Sequence, residues 1–186
     1  HPALYALVEV VNVHDDGLVF EPIHRVIFGV NANTVLDEIR RSGGGNEEIE
    51  YMLFNSRESM EASFNRMKTS QPAGVVHSNH LIRFILEGRY GILIIKNPRS
   101  SLEAGTLQSL LDSVAEKHNL EIDYIHGDEV VTRLGREKSC MGFYLPVMDK
   151  HDLFKTVLTD GVLPRKTFSM GEAYEKRYYI ECRKIT

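Results

Sequence analysis

Two stretches of the sequence carry residues that could hold an anion or move a proton. The first, Phe20–Gly29 (FEPIHRVIFG), places Glu21, His24 and Arg25 inside an otherwise apolar, extended run. Imidazole titrates closer to neutrality than any other side chain, and a guanidinium forks onto a carboxylate or phosphate with two parallel hydrogen bonds. The second, Gly161–Tyr174 (GVLPRKTFSMGEAY), gathers Arg165, Lys166, Thr167 and Ser169 between two glycines. Cations, hydroxyls and a backbone able to turn its amides inward are what an oxyanion cradle needs. It is not a Walker A loop, because the glycine required before the lysine is Arg165 here. His24 is therefore the candidate for proton transfer, and Arg25, Arg165, Lys166, Thr167 and Ser169 are the candidate ligand contacts.

Each stretch also has a plainer reading. Alternation along a strand sends Glu21, Ile23 and Arg25 to one face and Pro22, His24 and Val26 to the other, so Glu21 meets His24 only through a bend at Pro22. Glu21 and Arg25 then form a solvated edge pair, with His24 a buried, hydrogen-bonded histidine. The second stretch becomes a basic surface turn stiffened by Pro164. Elsewhere HSNH offers His77 and His80, and HGDE offers His126 and Asp128. Positions three apart face opposite sides of a strand, and a metal needs three or four converging groups, so no metal site is expected. HDDG, with His14, Asp15 and Asp16, reads as a hairpin turn, and Asp128 as a helix cap followed by Glu129 at the positive end of the dipole. No motif names a cofactor.

The elements that must position these residues follow from patterning. Turn chemistry at HDDG separates an extended run over residues 3–13 from a second strand that resumes at Leu18. Asn33 or Thr34 caps a short helix bearing Val35, Leu36 and Ile39, and a second helix is expected from about Glu47 to Lys68. Strands follow near 74–76, 80–86 and 90–95, with Gly88 making a tight connection. Residues 101–118 form the clearest helix: Ser100 and Glu103 read as a capping box, Leu107, Leu110, Leu111 and Val114 as one apolar stripe, and Asn119 or Leu120 as its end. Strands near 121–125, 140–145 and 177–184 and helices over 128–134 and 150–159 complete the chain. Several consecutive strands are joined too tightly for parallel crossovers, so the expected class is α+β, with a mixed or largely antiparallel sheet and about five helices.

The 186 residues, 42% apolar and 26% charged, are read as a single domain with a proper core. The chain opens HPALYALVEVVNV without an initiator methionine, as expected for the C-terminal portion of a longer protein. No signal peptide and no run of 18 apolar residues is visible, so no membrane partner is expected. Cys140 and Cys182 lie far apart without a pairing motif, which suits a reducing cytoplasm and buried thiols. Residues 161–186 hold six Lys/Arg against three Asp/Glu, or +3, so the remainder carries −7 of a net charge of −4. That acidic balance, with no aromatics interleaved among the cations, argues against nucleic acid.

LVEVVNVHDDGLVFEPIHRVIF followed far downstream by GVLPRKTFSMGEA resembles the C-terminal part of the uncharacterised bacterial and archaeal proteins of domain-of-unknown-function family 1015. The resemblance is strongest over residues 3–28 and 140–184. Members of that family carry a hydrophobic strand, an aspartate-rich turn and Pro-x-His-Arg, matched here by Val8–Val13, Asp15–Asp16 and Pro22–Arg25. They also carry a late Pro-x-Lys-Ser/Thr element, matched by Pro164–Thr167. The sequence departs from them after Phe168, where many have an aromatic and a further Pro-Lys. It also lacks their upstream Asp-Gly-Asn/His-His motif, similar to one of the ParB/sulfiredoxin-like fold.

The resemblance implies that the two basic stretches are functional without naming a substrate. On one reading they handle a small phosphorylated or carboxylated metabolite, with phosphotransfer first among reactions. Arg25, Arg165 and Lys166 then bind the anion, and His24 or an upstream histidine moves the proton. On the other, the domain is a non-catalytic docking or oligomerisation module whose basic segment pairs with an upstream domain or a second subunit. The first requires His24–Arg25 and Arg165–Lys166 to converge in an open cleft, and the second leaves them apart or paired.

Overall fold

The computed structural model describes residues 10–70 and 79–171. The expected strands over 74–76 and 177–184, most of the run 3–13, and His77 and Cys182 lie outside them. Among the described residues the elements run β1 (Phe20–Phe28), α1 (Val35–Arg41), β2 (Glu48–Phe54), α2 (Arg57–Thr69), β3 (His80–Leu86), β4 (Arg89–Lys96), α3 (Glu103–His118), β5 (Glu121–His126), α4 (Asp128–Leu134), β6 (Cys140–Tyr144), a 3-10 turn (Lys150–Asp152), α5 (Leu153–Asp160) and β7 (Phe168–Met170). The class is α+β, and every strand pair is antiparallel.

The sheet order is β2-β4-β3-β6-β1-β5, with β7 pairing the first residues of β1. The strands inside the sheet are apolar on both sides because each side carries its own core. Ile27, Phe84, Leu93 and Phe143 pack with α1 and α3, including the expected stripe of Leu107, Leu110, Leu111 and Val114. Val26, Ile85, Ile92 and Tyr144 pack with Met60 of α2 and Val131 of α4. Helices thus cover both faces, and alternation assigns neighbouring residues of β1 to different chemical surroundings.

Two glycines shape how closely these elements approach one another. The β3–β4 connection is a two-residue turn at Glu87 (φ 47°) and Gly88 (φ 81°), left-handed at both positions as a tight hairpin demands. At Gly142 of β6 a Cβ would come within 2.6 Å of a Val131 methyl, so the glycine lets α4 lie close against the sheet.

The expected helix over 47–68 divides. Its first part is the edge strand β2, bonded along its length to β4, and Ser56 then caps α2 by accepting from the Ser59 N–H. Glu48 and Glu50 both reach Lys96 across the strand pair, and Ile49 is buried beneath them. Pairing to β4 with one buried face overrides the helical preference of a Glu- and Met-rich segment. The capping box at α3 is also replaced: Ser100 accepts from Leu102 N–H, and Asp160, the last residue of α5, accepts from Ser101 N–H. Asn119, one of the two expected ends, closes α3, and it does so in the left-handed region.

Candidate functional site

Arg25 and His24 are adjacent on β1, both are buried, and they point to opposite faces of the sheet. On the α3 face, Arg25 is 0% exposed and its guanidinium ends on protein acceptors. Nε donates to Gln108 Oε1 at 3.0 Å, one terminal nitrogen to the carbonyls of Ile23 and His24, and the other to the carbonyls of Arg165 (3.2 Å) and Lys166 (3.0 Å). The guanidinium also lies 4.6 Å from the Tyr124 ring centre. Desolvation lowers its pKa to about 10, against an opposing effect of Tyr124, so it stays protonated at neutral pH.

A closed circuit fastens the 164–167 loop. Gln108 passes its amide N–H to Asp112 Oδ1 at 2.8 Å, and the same oxygen accepts from the Arg165 side chain at 3.0 Å. Arg165 is therefore held by its carbonyl through Arg25 and by its guanidinium through Asp112. The loop's other members differ. Thr167 is buried and donates its hydroxyl to the Pro164 carbonyl, and Lys166 is exposed with left-handed backbone, φ 57°. The Lys166 ammonium makes no ion pair among the described residues. Ser169 sits opposite Glu21 where β7 pairs β1.

The structure thus brings Pro22–Arg25 and Pro164–Thr167 together, but through backbone acceptors rather than around a shared ligand. Arg25, expected as a fork for an external anion, has each of its nitrogens engaged within the protein. Nor does it pair with Glu21 at the sheet edge. The loop borders two adjoining clefts beside the N-terminal turn of α3, of about 530 Å³ and 490 Å³. Thr167, Lys68 and Lys155 line the larger, and Pro164, Arg99 and Asp160 the smaller.

On the other face His24 is 1% exposed. Its Nδ1 accepts the Leu145 backbone N–H at 3.1 Å, so Nε2 carries the proton and donates to Asp128 Oδ1 at 3.0 Å. Asp128 Oδ2 takes a second bond from Arg57 at 2.9 Å. The Asp128 carboxyl is held below its usual range, chiefly by the His24 bond, with burial opposing and Arg83 and Arg57 assisting. Arg83 continues the row, bonded to Glu61 at 2.8 Å and lying over the Phe64 ring. The hydroxyl of Tyr144, beneath Arg57, exchanges a bond with Thr132 at 2.8 Å.

His24 therefore reaches solvent only through Asp128, whose side chain is 40% exposed. Local sequence suggests Asp128 as a helix cap, but α4 is capped by Gly127 without a side-chain bond, and the carboxylate turns to the sheet instead. Arg57, Gln108, Asp112 and Tyr124 carry no signal in the sequence, and Asp128 carries only its place beside a second histidine in HGDE. His80, weighed as a metal ligand, is buried and bonded to Thr106. Burial holds its imidazole below the usual range. Among the described residues no three His, Cys, Asp or Glu side chains converge as a metal site, and no helix is long and apolar enough to cross a membrane.

Two solved structures share this fold. A conserved hypothetical protein from Pyrococcus furiosus aligns at a TM-score of 0.57 with 14% identity, covering 88% of this chain and 60% of its own. A free serine kinase in complex with AMP aligns at a TM-score of 0.58 with 14% identity, covering 87% of this chain and 57% of its own. The chain thus spans less than two thirds of the length of either. No curated protein matches it in sequence. The model of a family described as "Protein of unknown function (DUF1015)" matches residues 1–114, which takes in the Pro-x-His-Arg element but ends before the 140–184 part of the resemblance. With more than half its length matched, including the strand that carries His24 and Arg25, the chain belongs to the DUF1015 family.

Proposed function

We propose that this chain supplies part of a binding site for a small phosphorylated or carboxylated metabolite, with phosphotransfer as the reaction it serves. Lys166 provides the attracting charge, and Arg165, Thr167 and Ser169 are its neighbours along the same segment. The observation that carries this reading is the state of Lys166. A residue with a Cβ held in the left-handed region costs about 1–2 kcal/mol, and here the buried Arg25 clamps the two carbonyls that hold it there. Strain maintained by a buried cation, at a residue whose own ammonium is unpaired among the described residues, marks a loop organised before its ligand arrives. The neighbouring clefts offer room for a metabolite. The phosphotransfer element rests on likeness of fold to the AMP-bound serine kinase. His24 acts at the opposite face, through Asp128, and is not the proton-transfer group for a ligand beside Lys166.

Calorimetric titration of the protein with phosphoserine, AMP, ADP and simple dicarboxylates tests this. Lys166→Ala is expected to weaken the ligand that binds by about 1.5–3 kcal/mol, the range of a charge-assisted hydrogen bond, with little change in fold stability. Undiminished affinity in that variant would remove Lys166 from the site.

A second reading, a docking or oligomerisation module, is favoured by the surface around α5. Phe154, Leu158 and Val162 are largely exposed there, Leu158 at 88% and Val162 at 95%, and Arg165 is already paired with Asp112. On that reading the partner is an upstream domain or a second copy, and Phe154→Ser with Leu158→Ser, neither of which lines a cleft, abolishes association in sedimentation experiments without touching anion binding.

A further inference from the structure

The turn over residues 12–18 and the segment over 149–152 meet at the surface, far apart in sequence. Lys150 donates its ammonium to the Asp15 and Leu18 carbonyls, at 2.6 and 3.1 Å. Beside it, His14 Nδ1 lies 3.1 Å from His151 Nδ1, and both residues are exposed. The rings are tilted by only 20° and their centroids are 5.1 Å apart, 2.0 Å farther than the nitrogens. The two Nδ1 atoms thus lie closer together than the ring centres do.

Two ring nitrogens bound to one zinc at about 2.0–2.1 Å, with an angle between square and tetrahedral, stand about 2.9–3.4 Å apart. The observed separation falls inside that interval. Local bonds hold the two segments that bear the rings: His14 N–H donates to Asn12 Oδ1, His151 N–H to Asp149 Oδ1, and Lys150 ties one segment to the other. Neutral imidazole is a preferred ligand of zinc, nickel and copper, and a poor one for magnesium or calcium, which take oxygen. We infer that His14 and His151 form a two-histidine surface site for a divalent transition-metal ion of the zinc, nickel or copper class, with water completing its coordination.

No third side chain of the described residues joins the pair in a cluster, so the remaining positions are open to exchange. The consequence is mechanical as well as chemical. Asp149 and Asp152, on either side of the metal-bearing residue, line the larger cleft, and an ion across the pair pins that wall to the 12–18 turn.

Titration of the whole chain with Zn²⁺ and Ni²⁺, followed by calorimetry, tests the site. The expectation is one ion per chain at the pair, weakened at least tenfold by His14→Ala and equally by His151→Ala. The exposed His118→Ala should leave it unchanged, and Mg²⁺ should not bind. Hydrogen exchange supplies a second readout: Zn²⁺ should slow the amides of Gly17, Leu18 and His151 in the parent and not in the variants. His14→Gln and His151→Gln serve as replacements should either alanine variant unfold. Zinc affinity within threefold of the parent in both variants, or protection elsewhere in the chain, would overturn the assignment and leave the contact as a hydrogen bond between two neutral rings.

Discussion

His24 and Arg25 are covalent neighbours, equally buried, with every ring and guanidinium nitrogen engaged, yet they do different work. Arg25 ends on carbonyl groups and one amide, so what it transmits is shape: it fixes the path of residues 164–167. His24 ends on a carboxylate that is itself half in solvent, so what it transmits is charge and orientation, by setting the rotamer and ionisation of Asp128. A buried cation without a buried anion holds a fold by bridging acceptors that come from separate segments of the chain. A buried neutral imidazole between an amide and a carboxylate tunes a group that others can reach.

The largest expected effect breaks the Arg25 side of the comparison. Arg25→Ala strips Gln108 and the carbonyls of Ile23, Arg165 and Lys166 of their donor and leaves a void, so it should destabilise by about 3–5 kcal/mol in urea unfolding. A loss no greater than that of His24→Ala would show that the two residues are energetically equivalent and the distinction empty.

An intermediate effect sharpens the His24 side through pH. Because the Asp128 carboxyl is depressed in the fold, its ionised form adds stability above the ordinary value of 3.8, and that stability disappears as pH falls through the lower folded value. Asp128→Asn should therefore flatten the loss of stability below about pH 4, while leaving the profile near neutrality parallel to that of the parent. A variant whose acid limb is as steep as the parent's would place the acid-sensitive group elsewhere.

The smallest effect concerns the strain that Arg25 maintains. Lys166→Gly relieves a left-handed backbone that Lys166→Ala retains, so the glycine variant should be the more stable of the two by about 1 kcal/mol. Equal melting temperatures would mean that the loop relaxes without its side chain and is not held under strain.

The sequence exposed some of this arrangement and concealed the rest for physical reasons. β3, β4, β5 and α4 lie where patterning puts them, because strongly apolar runs bounded by turn residues leave few alternatives. The unusual residues in β1 were visible because charge in a buried strand is rare, and alternation already assigned His24 and Arg25 to opposite faces. Their partners were not visible. Asp128, Gln108 and Asp112 belong to helices whose positions depend on which strands flank β1, and strand order leaves no mark on local patterning. β2 was hidden because an edge strand with only Ile49 buried among seven residues shows no clear two-residue alternation, and its Glu-rich composition favours a helix.

The place of β1 in the sheet has a further consequence for how the chain reaches its native state. β2, β3 and β4 pair among themselves, and those contacts can close soon after residue 96 leaves the ribosome. β1 precedes them all, yet its partners are β5, β6 and β7, which span residues 121–170. Among the described strands, the earliest in the sequence must wait for the last ones. During synthesis it is an exposed apolar ribbon carrying an unmatched arginine, open to mispairing and to chaperones that recognise such segments. The stretch that matches the family model, residues 1–114, stops before any of those partners. Expressed alone, it would contain none of the described strands that β1 joins, so the boundary of sequence similarity is not a boundary of cooperative folding.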